Sequence, residues 1–182
     1  MNKIVVLYKS KYGATKKYAI MLQNELSCDI YDVVDHKKIL FENYDCIIFA
    51  GAIYAGGMSG LNILRKIHKY IKHKKIIILC VGASPFDIKA IEEVKTHNLK
   101  EDLKDIPFFY ARGAWNESGM TFKDRTMCKM LQKMLAKQDI DSCELWMKEL
   151  LYSQGKICDW TDKKNLSPIL EYIREEKQKL KY

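Results

Sequence analysis

At 182 residues, with 48% hydrophobic and 30% charged side chains, the chain is long enough to bury a full core and too apolar to stay disordered. The 31 basic residues against 23 acidic ones leave a formal charge of +8, which suits anionic partners such as acidic redox proteins or a peripheral contact with an anionic membrane surface. The lysines run along the whole chain and compose no recognised nucleic-acid motif, so no nucleic acid is expected.

The first predicted element is a strand, Ile4-Val5-Val6-Leu7-Tyr8, too short and too β-branched for a helix. Next comes Ser10-Lys11-Tyr12-Gly13-Ala14-Thr15, and then a helix whose Tyr18, Ala19, Leu22 and Leu26 share one face. A strand, a tight turn and a helix N-terminus in succession aim unpaired backbone N–H groups and the positive end of a helix dipole at one point, which makes a phosphate cradle. Hydroxyls of Ser10, Tyr12 and Thr15 complete it, and Gly13 lets the backbone close around it. The run is no triphosphate loop, because Ala14-Thr15 stands where Lys-Ser/Thr is needed, and the dinucleotide fingerprint is missing; a monophosphate remains.

Further strands are expected over residues 29–34, 45–50, 75–81 and 107–111, with helices near 60–70 and 87–96. A final helix opens at Ser167-Pro168, with serine as N-cap. The third and fourth strands are near-continuous apolar runs, as parallel strands buried on both faces require. The fold class is therefore α/β, a doubly wound sheet of five strands in a single domain spanning 1–182.

The six cysteines are scattered without a C-x-x-C pair, so they read as reduced core residues, and the four histidines as solvated; no metal is expected. No apolar run approaches the roughly 18 residues that span a bilayer, and no signal-peptide pattern opens the chain, so a cytoplasmic location is expected.

In a doubly wound sheet the ligand sits beyond the carboxyl ends of the strands. That rule selects residues 10–15, the loop Gly51-Ala52-Ile53-Tyr54-Ala55-Gly56-Gly57-Met58-Ser59 and the loop Gly82-Ala83-Ser84-Pro85-Phe86. Tyr54 and Phe86 offer aromatic faces to a flat ring, and the small residues let backbone approach it. After the fifth strand, residues 119–155 exceed a simple connection. Thr121 and Asp124 mark a helix start there, followed by an apolar stripe of Met127, Met130, Leu131, Met134 and Leu135, and a second stripe contains Leu145, Trp146, Leu150 and Tyr152. Methionine stripes are usually core, so a helical pair packed on the sheet is the expectation; a lid or docking platform is the alternative.

The phosphate loop, the Gly51 to Gly56 loop and the order of elements resemble the flavodoxin family. Within it, Arg112-Gly113-Ala114-Trp115-Asn116 and Asp124-Arg125-Thr126-Met127 are similar to the long loop of the menaquinone-dependent protoporphyrinogen oxidase branch. The resemblance implies a strand order of 2-1-3-4-5 with a helical insert at about 117–156, and non-covalent FMN. Ser10, Lys11, Tyr12, Gly13, Ala14 and Thr15 would take its phosphate. Ile53, Tyr54, Ala55 and Gly56 would line its ring, and Gly82, Ala83 and Ser84 would close the other side. No catalytic acid, base or nucleophile is implied. Three functions stay open: an electron carrier for a redox partner protein, an enzyme acting on a quinone- or porphyrin-like small molecule, and a flavin-free basic module that binds phosphate.

Overall fold

The computed structural model describes residues 3–54 and 56–179. In chain order the first elements are β1 (Ile4–Lys9), α1 (Ala14–Leu26), β2 (Asp29–Asp32), β3 (Cys46–Tyr54), β4 (Gly57–Met58), α2 (Leu61–Ile71), β5 (Lys75–Gly82), α3 (Ile88–Asn98) and β6 (Phe108–Arg112). β2, β1, β3, β5 and β6 pair in parallel in that spatial order. Counted as parallel strands along the chain, this is the expected 2-1-3-4-5, and the class is α/β with helices on both faces. β4 turns back antiparallel on the end of β3.

Alternation along the central strands divides the core. Val6, Ile48, Ile77 and Leu79 face α1 and the last helix, meeting Tyr18, Leu22, Ile169 and Ile173. Val5, Leu7, Phe49 and Ile78 point the other way and meet Leu61, Leu64 and Ile67 of α2. Each such side chain contributes about 1.5–3 kcal/mol by leaving water, which is why strands covered on both faces need apolar residues at every position.

Three of the boundaries that differ from expectation have a local cause. β2 ends at Asp32, not at residue 34, because the Asp32 side chain accepts a hydrogen bond from the Val34 amide at 3.0 Å and starts a 3-10 turn, Val33–Lys38. β3 continues to Tyr54 because β4 supplies partners for Ile53 and Tyr54. The last helix, α6 (Ser167–Lys179), continues a 3-10 turn, Lys163–Leu166. Ser167 is therefore already helical, and the cap is Asp162, which accepts from the Lys164 amide at 2.8 Å.

Between β6 and α6 lie β7 (Ala114–Asn116), α4 (Phe122–Leu135), α5 (Leu145–Tyr152) and β8 (Ile157–Asp159). β7 and β8 pair antiparallel, with Asn116 opposite Ile157, so residues 117–156 leave and return through one ribbon. The stripe on α4 does not pack as core: Met127, Met130, Leu131 and Met134 are exposed, and of the stripe only Leu135 is buried. Asp124 and Gln132 are buried in their place. Hydrogen bonds decide this facing, since Asp124 gathers three side-chain donors and the Gln132 amide donates to the Leu150 carbonyl at 3.2 Å.

Candidate functional site

The chain crosses from one side of β1 to the other between β2 and β3, so the carboxyl ends of β1 and β3 flank the point where strand order reverses. A cavity of about 1050 Å³ opens there, at the upper end of the roughly 300–1,000 Å³ common for ligand sites. Every residue expected at the site lines it except two: Gly13 stands behind the loop as the N-cap of α1, and Ala55 lies outside the described residues. Phe86 does not line the cavity; it is exposed and leans on Tyr110 at 6.5 Å between ring centroids.

The cradle follows from local geometry. Gly13 adopts φ +96, a left-handed conformation that side chains resist, and turns the chain from β1 into α1. No side chain caps α1 and no acidic residue lies in its first turn, so its amides and dipole face the cavity uncompensated. Ser10 Oγ braces the turn by accepting from the Gly13 amide at 3.1 Å. Thr15, 1% exposed, sits in the first turn and lines the same cavity.

Asn98, at the end of α3, holds the β3–β4 turn. Its side-chain oxygen accepts from the Met58 amide at 2.7 Å, and its Nδ2 donates to the Gly56 and Val94 carbonyls at 2.8 Å. On the third loop, the Tyr110 hydroxyl donates to the Ser84 carbonyl at 2.5 Å and Arg112 Nε donates to the Ala83 carbonyl at 3.2 Å. Both loops are thus fixed by side chains from neighbouring elements. Gly82 is needed because a Cβ there would lie 2.8 Å from the Tyr110 hydroxyl oxygen.

A charged cluster joins the insert to this frame. Asp124, 3% exposed, accepts from Lys11 Nζ and from the hydroxyls of Tyr12 and Tyr54. Lys11 also lies over the Tyr54 ring, 4.8 Å from its centroid. The Lys11 ammonium, then Tyr12 and Tyr54, hold the Asp124 carboxyl far below the usual carboxylate range. Burial and the hydrogen bond to Asp124 push the Tyr54 hydroxyl well up. From α5, Glu149 pairs with Arg112 at 2.7 Å, and that guanidinium stacks on Trp160 at 3.9 Å. Each insert helix therefore sends one carboxylate to a base on the frame.

Met127, Leu131, Leu145, Trp146 and Leu150 of the insert form an apolar wall of the cavity. The indole Nε1 of Trp115, in the same wall, is buried with no partner among the described residues. A bare helix N-terminus, adjacent hydroxyls, a slot between small-residue loops and an unsatisfied indole donor fit an anionic phosphate joined to a flat ring with acceptor atoms. The sequence did not mark Asn98 as a site residue, and it marked Trp115 and Asp124 only through the long-loop resemblance and, for Asp124, as a helix start. Among the described residues no group of three or more His, Cys, Asp or Glu side chains could hold a metal, and no helix is long and apolar enough to cross a membrane.

A family model described as a flavodoxin domain matches residues 5–142. An uncharacterized protein of Methanocaldococcus jannaschii is 37% identical over 109 residues, 58% of this chain and 69% of its own. The Trp repressor binding protein of Bacillus subtilis shares 19% identity over 75% of this chain and 99% of that one, with a TM-score of 0.46. A flavoprotein of Lactobacillus acidophilus in complex with FMN shares 16% identity over 62% of this chain and 93% of that one, with a TM-score of 0.41.

Proposed function

This chain belongs to the flavodoxin domain family, and we propose that it holds FMN non-covalently in the cavity at the strand ends and passes electrons. The observation that carries the reading is the uncapped N-terminus of α1 opening, beside Ser10 and the buried Thr15, onto a ring-sized slot. When bound, the flavin supplies one- and two-electron transfer, which these side chains do not.

The Ser10 and Thr15 hydroxyls and the amides of Lys11, Tyr12, Ala14 and Thr15 would hold the phosphate, the dipole of α1 favouring its charge. Ile53, Tyr54 and Gly56 would line one side of the ring, with Gly82, Ala83 and Ser84 on the other. Asp124 and Asn98 orient these loops before a ligand arrives, which lowers the ordering cost of binding. Six free thiols agree with a reducing, cytoplasmic setting.

Electrons would go either to a redox partner protein or to a quinone- or porphyrin-like molecule, as in a protoporphyrinogen oxidase-like enzyme. The apolar insert wall inside the cavity favours the second reading, since a carrier that docks proteins needs no such enclosure. Titration of the purified chain with FMN and with riboflavin tests the site. FMN should bind at least about tenfold more tightly, because a charge-assisted phosphate contact contributes roughly 1.5–3 kcal/mol. Equal affinities refute the phosphate assignment. Phosphate binding without any FMN affinity would leave the flavin-free module, and turnover of small quinones without a protein partner separates enzyme from carrier.

A further inference from the structure

α4 is inside out. Its buried positions are Asp124, Gln132 and Leu135, whereas Phe122, Met130 and Met134 are 85%, 61% and 64% exposed. Such an apolar face on a protein surface marks a binding surface. Its exposed charges all have one sign: Lys123 and Lys133 on the helix and Lys137 just beyond it, with Lys129 also exposed but paired with the buried Glu117 at 3.9 Å, while its one acidic residue, Asp124, is buried against Lys11. Met127 and Leu131 belong both to this face and to the cavity lining, so apolar surface runs without a break from the outer helix into the site.

We propose that the outer face of α4 docks on an anionic lipid surface, setting the cavity mouth against the acyl layer. Phe and Met side chains flanked by lysines match a helix lying in the headgroup region, where the lysine stems lie along apolar surface and their ammonium groups reach phosphates. Lysine is depleted in protein–protein interfaces, which prefer arginine, and no arginine points outward here. Two copies meeting through this face would bring their lysine rows together, which opposes self-association. An apolar substrate could then enter without crossing water. The proposal uses the cavity but does not require FMN.

The test is flotation of the full chain with vesicles of equal phosphatidylglycerol and phosphatidylcholine, and with phosphatidylcholine alone. Binding is expected to the first and not the second. Lys123→Gln with Lys133→Gln should weaken it about thirtyfold, five- to sixfold for each lysine. Met130→Ser with Met134→Ser should weaken it about tenfold or more through lost apolar contact. Lys66→Gln with Lys69→Gln on α2, an equal loss of charge elsewhere, should change it by about twofold or less. The altered side chains are exposed, and far-UV circular dichroism checks the fold. As a second readout, Phe122→Trp should give blue-shifted emission only on the anionic vesicles. Equal losses from the α2 and α4 lysine pairs overturn the proposal, as does self-association through α4 in place of vesicle binding. A dispensable methionine pair also overturns it, leaving an acidic protein as the better occupant. FMN affinity should be unchanged in every variant, so failure here is distinguishable from failure of the cofactor reading.

Discussion

Asp124 is buried because it is fully partnered: one ammonium and two hydroxyls converge on its carboxylate. Its folded-state pKa lies below the unfolded value of about 3.9, so its stabilising effect is present above that pH and is lost as pH falls below it. Asp124→Asn should therefore flatten the loss of stability between about pH 4 and 2, measured by denaturant unfolding at each pH. It should also loosen the first turn of α4, read as faster amide exchange there, while α1 is unchanged. Gly13 offers a cleaner backbone test. A Cβ there would meet nothing within 4 Å, so Gly13→Ala should cost only the left-handed strain, about 1–2 kcal/mol by chemical denaturation. Asn98→Ala leaves the Met58 amide and Gly56 carbonyl unpartnered, at about 1–3 kcal/mol for each group that water cannot reach. The β3–β4 turn should be where protection is lost.

At the scale of elements, the insert and the sheet are separable in a definite way. Asn116 opposes Ile157 at the end of the β7–β8 ribbon, so residues 117–156 can be replaced by a two-residue Asn-Gly turn that suits such a hairpin. The cradle belongs to the β1–α1 loop, so the shortened chain should keep its preference for FMN over riboflavin, measured by fluorescence titration. It loses Asp124, Glu149 and the apolar cavity wall, so electron exchange with quinone analogues should slow and lose selectivity. Unchanged rates would make the insert a structural cover.

At the scale of the molecule, burial sorts the thiols. Burial pushes the Cys28 thiol up to about 11 and Cys46 up to about 12, and raises Cys80 further. Cys143 is also buried, whereas Cys128 and Cys158 are partly accessible. Iodoacetamide at neutral pH should label Cys128 and Cys158 in the native protein and all six after denaturation, read by peptide mass spectrometry. Cys128 lines the cavity, so its labelling should slow when FMN is added.

Periodicity and turn chemistry were enough to read the parallel strands and the tight turn from the first strand into the first helix, while the strand order came through the family resemblance. These are local properties: runs of Ile and Val state their own burial, and Gly13 before a helix states its own turn. The sequence could not say which side of α4 faces inward, because its methionine stripe satisfies the helical period of a core face as well as that of an outer one. Tertiary structure decided it through partners distant in sequence: Lys11, Tyr12 and Tyr54 meet a carboxylate 113, 112 and 70 positions away, and Leu150 offers its carbonyl to Gln132. A buried carboxylate with three donors outweighs the exposure of several methionines, since an unpaired charge in the interior costs more than apolar surface left in water.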